Sequence, residues 1–190
     1  GALFGAHPYE TALGVWLDKT GSDATPDFDN GVLRRGRLLE GAVAMAVSEA
    51  RPDWRIEKAT EYFRDPDLRM GATPDFFIHG DPRGLGVLQA KTVAPRAFKT
   101  GWQDDTPPFW IALQTISEMM LTGAKWGAVA PLIVDPYRLD CPIYEIPRHA
   151  GVEARIIEAV AEFWDAVAWG HQPAPNFARD ADLLAALAPD

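Results

Sequence analysis

Three polar residues have the types and spacing that chemistry needs. Asp75 closes the run Gly71-Ala-Thr-Pro-Asp75, and Gln89 and Lys91 flank Ala90 further along the chain. Side chains on a strand alternate between faces, so Gln89 and Lys91 point the same way and Ala90 faces the opposite packing layer. Gly80-Asp-Pro-Arg-Gly84 reads as a turn, and antiparallel pairing across it can bring Asp75 to their side. Such a cluster suits a divalent cation and a water. Glu40, on the preceding helix, is the second candidate acid. The Gln89 side-chain oxygen and the Ala90 backbone carbonyl would complete the donor set.

The reaction these groups fit is phosphodiester hydrolysis. It needs a water nucleophile, neutralisation of growing phosphate charge and support for the leaving oxygen, all of which one or two Mg²⁺ ions can supply. Mg²⁺ takes oxygen ligands and keeps several waters, so a few protein oxygens suffice. Lys91 would hold or polarise the attacking water and stabilise the pentacoordinate state. Each residue alone also has a plainer reading. Asp75 after Pro74 serves as a turn or cap residue, Glu40 as a surface charge and Lys91 as a solvated strand charge, while Gln89 by itself says little. The argument rests on their conjunction and order.

The elements that must carry these residues can be read from periodicity. Residues 8–20 read as a helix opened by Pro8 and stopped by Gly21. Residues 22–30 read as a loop ending in an N-cap, Asn30. A long helix then runs to about Ala50, with Leu39, Val43, Ala46 and Val47 as its apolar stripe. Gly36 and Glu40 border that stripe, and Gly36 is expected to admit a close neighbour. Strands are expected over 54–62, 75–79 and 85–92, the last two as an antiparallel hairpin. Residues 93–107 read as a Pro- and Lys-rich loop. Pro107-Pro108 open a helix through about Leu121, stopped by Gly123. Residues 125–134 form an apolar strand in which Pro131 marks a bulge or an edge. A strand over 143–146 follows, then a helix over 152–169 with Ile156, Ile157, Val160, Phe163, Trp164 and Val167 on one side. Residues 171–178 form a Pro-rich connector and 183–187 a short helix. The expected fold class is α/β (α+β), with a central mixed sheet of about five strands flanked by helices.

At 190 residues the chain is long enough for one domain with a real core, and residues 170–190 read as a C-terminal extension of it. No apolar run approaches the roughly 20 residues of a membrane span. The single cysteine, Cys141, excludes an internal disulfide and a cysteine zinc cage, and points to a reducing cytoplasm. A net charge of −9 argues against a protein coated in basic surface. Local positive charge exists where Arg34, Arg35 and Arg37 cluster, and where Lys91, Arg96 and Lys99 cluster. Each cluster reads either as a solvated face or as the wall of a groove that holds a polyanion.

The order of these motifs resembles the PD-(D/E)xK nuclease superfamily, and more closely the YqaJ-like viral recombinases, relatives of phage lambda exonuclease. The resemblance lies in Phe4-Gly-Ala-His-Pro-Tyr9, Trp16-Leu-Asp-Lys-Thr-Gly21, Gly36-Arg-Leu-Leu-Glu40, Thr73-Pro-Asp75, Gly86-Val-Leu-Gln-Ala-Lys91, Gln114 through Thr122-Gly123, and Phe163-Trp164. It implies a restriction-endonuclease-like core and a Mg²⁺-dependent exodeoxyribonuclease, with Mn²⁺ able to substitute. The enzyme would be encoded by a phage or prophage and work in recombination in the host cytoplasm. The implied substrate is linear duplex DNA, digested 5′ to 3′, with an annealing protein as partner and a toroidal homotrimer as assembly.

By this carry-over Glu40, Asp75, Gln89 and the Ala90 carbonyl hold metal. Lys91 is catalytic, and Gln114 lies beside the centre or on the substrate. Arg34, Arg35, Arg96 and Lys99 are phosphate contacts on composition. The pattern departs from the family at Gln89, where an acid is usual. An amide oxygen can ligate Mg²⁺, but it brings no formal charge. Three explanations stay open: compensation by another acid, an engineered substitution, or a scaffold that has kept DNA binding and lost catalysis. The family's Ser-Asp element would lie upstream of Gly1.

Overall fold

The computed structural model describes residues 1–21, 31–102 and 106–187. The expected loop over 22–30 and its cap Asn30 lie outside the described residues, as do residues 103–105. The chain divides into two compact units, Gly1–Phe28 with Ala154–Asp190, and Asp29–Glu153.

In the first unit a single 3-10 turn, Ala2–Phe4, precedes helix α1, Ala12–Thr20. The expected opening at Pro8 is four residues early. Thr11 is the N-cap, because its hydroxyl accepts from the Gly14 N–H at 3.0 Å and so satisfies a donor at the helix start. The same hydroxyl donates to Asp180 Oδ1 at 2.6 Å. Asp180, only 1% exposed, also accepts from the Asn176 N–H at 2.7 Å. Arg179 donates to the carbonyls of Gly5, His7 and Glu10. The segment read as an extension is therefore stitched into this unit. Helix α6, Ala181–Leu187, ends it as expected. Helix α5, Ala150–Ala168, buries Ile156 and Phe163, but Ile157 is 38% exposed and not part of the buried stripe.

The second unit is a six-stranded mixed sheet with a helix on each face. Helix α2 is Gly31–Ala50, and its Val43 and Val47 are fully buried. Gly36 sits beside open space, contrary to the expected close neighbour. Strands β1, Arg55–Lys58, β4, Phe76–His79, β5, Gly86–Val93, and β6, Trp126–Val134, lie in the order β1-β4-β5-β6. The expected strand over 54–62 stops at Lys58. Beyond it, β2, Phe63–Asp65, and β3, Met70–Ala72, pair as a separate small hairpin outside the expected strands.

β4 and β5 pair antiparallel, as expected. Their turn is held by Asp81, which accepts from Arg83 Nε at 2.8 Å and Trp54 Nε1 at 3.2 Å. Gly80 must be glycine there, since its φ is 92° and a Cβ would stand 2.8 Å from the Asp53 carbonyl oxygen.

β5 and β6 run parallel, which demands a crossover. The crossover contains α3, Pro95–Gly101, where a loop was expected: Pro95 sits at the first helical turn, where its missing N–H costs nothing. It continues through α4, Phe109–Thr122, which starts after Pro108 and stops at Gly123 with φ 74°. On the far side of β6 two short strands share the edge, β7, Leu139–Asp140, pairing with 133–134, and β8, Tyr144–Pro147, pairing with 126–129. Pro131 falls in the gap between them, so β6 is interior yet locally an edge at that residue.

One core layer lies on the α2 side, with Val43, Val47, Phe76, Leu88, Ala90 and Ala128 among its members. On the other face α4 packs tightly, because Gly127 lets Thr115 and Met119 approach β6; a Cβ there would stand 2.6 Å from Thr115 Cγ2. Among the described residues no helix is long and apolar enough to cross a membrane.

Candidate active site

The register of the hairpin sets the site. Phe76 pairs with Leu88, which puts Asp75, one residue before β4, beside Gln89. The Gln89 side-chain amide donates to Asp75 Oδ2, and the Ala90 backbone N–H donates to the same oxygen at 2.8 Å. Ala90 itself packs into the α2-side core, so Gln89 and Lys91 face α4, as strand alternation requires. Lys91 Nζ donates to Gln114 Oε1 at 3.2 Å and stands 5.6 Å from the centre of the Trp110 ring. Gln114 Nε2 donates to Glu118 Oε1 at 3.1 Å. Lysine carries only donors, so the amide of Gln114 must turn its oxygen to Lys91 and its nitrogen to the glutamate.

Glu40, on α2, is ion-paired with Lys58 of β1, and Lys58 stands 4.7 Å from the centre of the Phe76 ring. The charge of Glu40 is felt at both Asp75 and Lys91. Asp75, Gln89, Lys91 and Gln114 are thus brought together, with Glu40 close enough to act on two of them. Arg34 and Arg35 are exposed on the N-terminal half of α2, and Arg96 and Lys99 are exposed on α3. Lys99 borders a cavity of about 540 Å³ lined also by Phe98, Arg138 and Cys141, none of which belongs to the cluster around Asp75.

The electrostatics are those of a centre short of positive charge. Burial raises the Asp75 carboxyl above its ordinary value, opposed by the charge of Lys91 and the Ala90 N–H. Burial lowers the Lys91 ammonium, opposed by Asp75, Glu118 and Glu40. Glu118 is 1% exposed and is pushed up to about 8, first by burial and then by the charge of Asp75. Among the described residues, two buried oxygens at this centre have no hydrogen-bond partner, Gln89 Oε1 and Glu118 Oε2. Both hydrogen bonds at the Asp75 carboxylate fall on Oδ2, which leaves Oδ1 for a ligand.

Oxygen donors without donors of their own fit a hard cation, and Mg²⁺ asks for only one or two carboxylates when waters fill the remaining positions. Among the described residues no cluster of three or more His, Cys, Asp or Glu side chains is close enough to hold a metal.

Sequence reasoning missed Glu118 and Lys58. Glu118 had a signal: it lies one helical turn from Gln114 on a helix otherwise buried through Ile111, Leu113, Ile116 and Met119. Lys58 had none, because its position opposite Phe76 depends on β1–β4 pairing.

Fold and site together define an α/β protein with an exonuclease-type fold. An alkaline exonuclease from Laribacter hongkongensis superposes with a TM-score of 0.62 at 18% identity, covering 91% of this chain and 84% of that one. The same enzyme in complex with dAMP gives 0.60 at 20% identity over the same shares. The sequence pattern of the YqaJ-like viral recombinase domain matches residues 1–125, and the chain belongs to that family. It is 26% identical over 175 residues to the uncharacterized protein YqaJ of Bacillus subtilis (strain 168); that match covers 90% of this chain and 53% of YqaJ, so the chain spans about half of that relative's length.

Proposed function

We propose that the chain is a divalent-metal-dependent deoxyribonuclease that digests linear duplex DNA from its ends, 5′ to 3′, in phage or prophage recombination. The observation that carries this reading is the meeting of Asp75, Gln89 and Lys91 on the α4 face of the sheet, in a family of viral recombinases. Asp75 Oδ1, Glu40, Gln89 Oε1 and the Ala90 carbonyl are the oxygens that would hold Mg²⁺ or Mn²⁺. A bound dication supplies charge for the phosphate and acidity for its water.

The chain's own groups do the rest. Lys91, steadied by Gln114, presents its ammonium to the water and to the phosphate oxygens. The Ala90 N–H fixes the Asp75 carboxylate so that its second oxygen stays turned to the ligand side. Arg34, Arg35, Arg96 and Lys99 are candidate phosphate contacts, where they would add salt-dependent affinity. A homotrimer enclosing the duplex, an annealing protein as partner and work in the host cytoplasm belong to the same reading.

One observation favours a second reading. Gln89 brings no charge and spends its amide on Asp75, as suits a DNA-binding or assembly protein that no longer cuts. End-labelled linear duplex, circular duplex and single strands, incubated with Mg²⁺ or Mn²⁺ and with EDTA, separate the two. Metal-dependent loss of label from linear duplex alone supports the nuclease. Retardation of DNA in a gel, with no digestion under either metal, supports the binding protein.

A further inference from the structure

The two orphaned acceptors belong to elements packed against each other. Gln89 Oε1 belongs to β5 and is 2% exposed; Glu118 Oε2 belongs to α4 and is 1% exposed; neither has a hydrogen-bond donor. Leaving a buried acceptor unpaired is costly, and more so for a charged one, so two such oxygens on packed elements call for an occupant. Asp75 ties them together, since Gln89 donates to it and its charge is felt at Glu118. Among the described residues, the groups tied to this centre by a hydrogen bond or by charge come from both sides. From the sheet come Asp75, Gln89 and Lys91, from α4 come Gln114 and Glu118, and Glu40 acts from α2. Lys91 already donates to Gln114, and Gln114 already donates to the other oxygen of Glu118.

The geometry points to Glu118 as the acid that compensates for Gln89: a divalent cation sits between Asp75 on the sheet and Glu118 on α4, with Gln89 Oε1 as a neutral third donor. The carboxylate count of the centre is then conserved, with one charge moved from the strand to the facing helix. Two acids and an amide suffice for Mg²⁺ with waters. This inference rests on the metal-dependent reading above.

The test is Mn²⁺ binding to the full chain, followed by the electron-spin resonance of free Mn²⁺ and by calorimetry. Wild type is expected to bind, and Asp75→Ala to lose binding. Glu118→Gln, which keeps shape and removes charge, is expected to weaken binding by about tenfold or more. Adding Gln89→Glu to Glu118→Gln is expected to restore it.

Unchanged affinity in Glu118→Gln, with binding still lost in Asp75→Ala, overturns the role of Glu118 and leaves the metal reading standing. Wild type that binds no Mn²⁺ overturns both. A loss that Gln89→Glu fails to repair marks Glu118 as structural and overturns the inference. If Glu118→Gln does not fold, crystals of the unmodified chain soaked in Mn²⁺ decide. An anomalous peak about 2.1 Å from a Glu118 oxygen is expected. A peak bounded only by Asp75 and Glu40 overturns the proposal.

Discussion

The Lys91 ammonium donates to Gln114 Oε1 at 3.2 Å, joining strand β5 to helix α4 across the crossover that links β5 to β6. This bond holds a half-hidden cation in one direction. Burial works against its charge, and the surrounding acids work in favour. For this reason Lys91→Ala is expected to abolish digestion of linear duplex and to lower the unfolding midpoint, since the acids around it lose their cation and Gln114 Oε1 its donor. Lys91→Arg should not rescue, because a planar fork cannot occupy the place of a point charge. End-labelled digestion and thermal unfolding check both.

Gln89→Glu sets a second carboxylate beside Asp75, where an amide now donates. Without metal the two like charges repel, and the unfolding midpoint should fall. Mg²⁺ should then raise the midpoint of the variant more than that of wild type, because a ligand that binds only the folded state stabilises it by mass action. Turnover at limiting Mg²⁺ should rise. Melting curves with and without Mg²⁺, beside digestion rates, give the answer. Equal Mg²⁺ shifts in the two proteins would falsify the role of position 89 in the metal site.

Gly127→Val drives a side chain into α4, since even a Cβ would stand 2.6 Å from Thr115 Cγ2 and 3.4 Å from Met119 Sδ. Overpacking of this kind costs about 1–3 kcal/mol. The displaced helix carries Gln114 and Glu118, so Mn²⁺ affinity should fall together with stability. Urea unfolding and Mn²⁺ titration of the same preparation test this; a destabilised variant with full Mn²⁺ affinity would refute the dependence of the site on α4 docking.

Arg148 clasps Glu153 and donates to the carbonyls of Ala124 at 3.0 Å and Met119 at 3.3 Å, closing the C-terminal end of α4. Its bond to Glu153 holds that carboxyl below its ordinary value of 4.5. The stability this adds is present above the unfolded value and is lost as pH falls through the lower folded one, because the unfolded chain takes up the proton first. Arg148→Ala should cost about 1–3 kcal/mol near neutrality. It should also flatten the fall in stability as the pH drops below the ordinary carboxylate range. Denaturant unfolding across that range reads both.

The hairpin and its polar pair were legible because period-two alternation and a Pro- and Gly-bearing turn act over a few residues. So were the limits of α4, which Pro108 and Gly123 punctuate. What stayed hidden depends on partners far away in sequence. The strand over Phe63–Asp65 exists only as the mate of Met70–Ala72. Pro131 reads as an edge signal, and only the split between β7 and β8 shows how an interior strand tolerates it. Thr11 outranks Pro8 as the start of α1 because its hydroxyl also answers the buried Asp180. At the site, local pattern yielded Asp75, Gln89 and Lys91. Glu118 carried a weaker signal, a charge one turn from Gln114 on an apolar helix, whose meaning shows only when the sheet is laid against it.

The parallel pairing of Gly86–Val93 with Trp126–Val134 has a kinetic corollary. Such a ladder forms only after some forty intervening residues have been gathered in, about the slowest kind of contact a chain makes. The residues that face Lys91 ride on that same excursion. A nascent or half-collapsed chain can therefore have Asp75 beside Lys91 on the hairpin while Gln114 and Glu118 are still absent, so the centre is completed only when the molecule is finished.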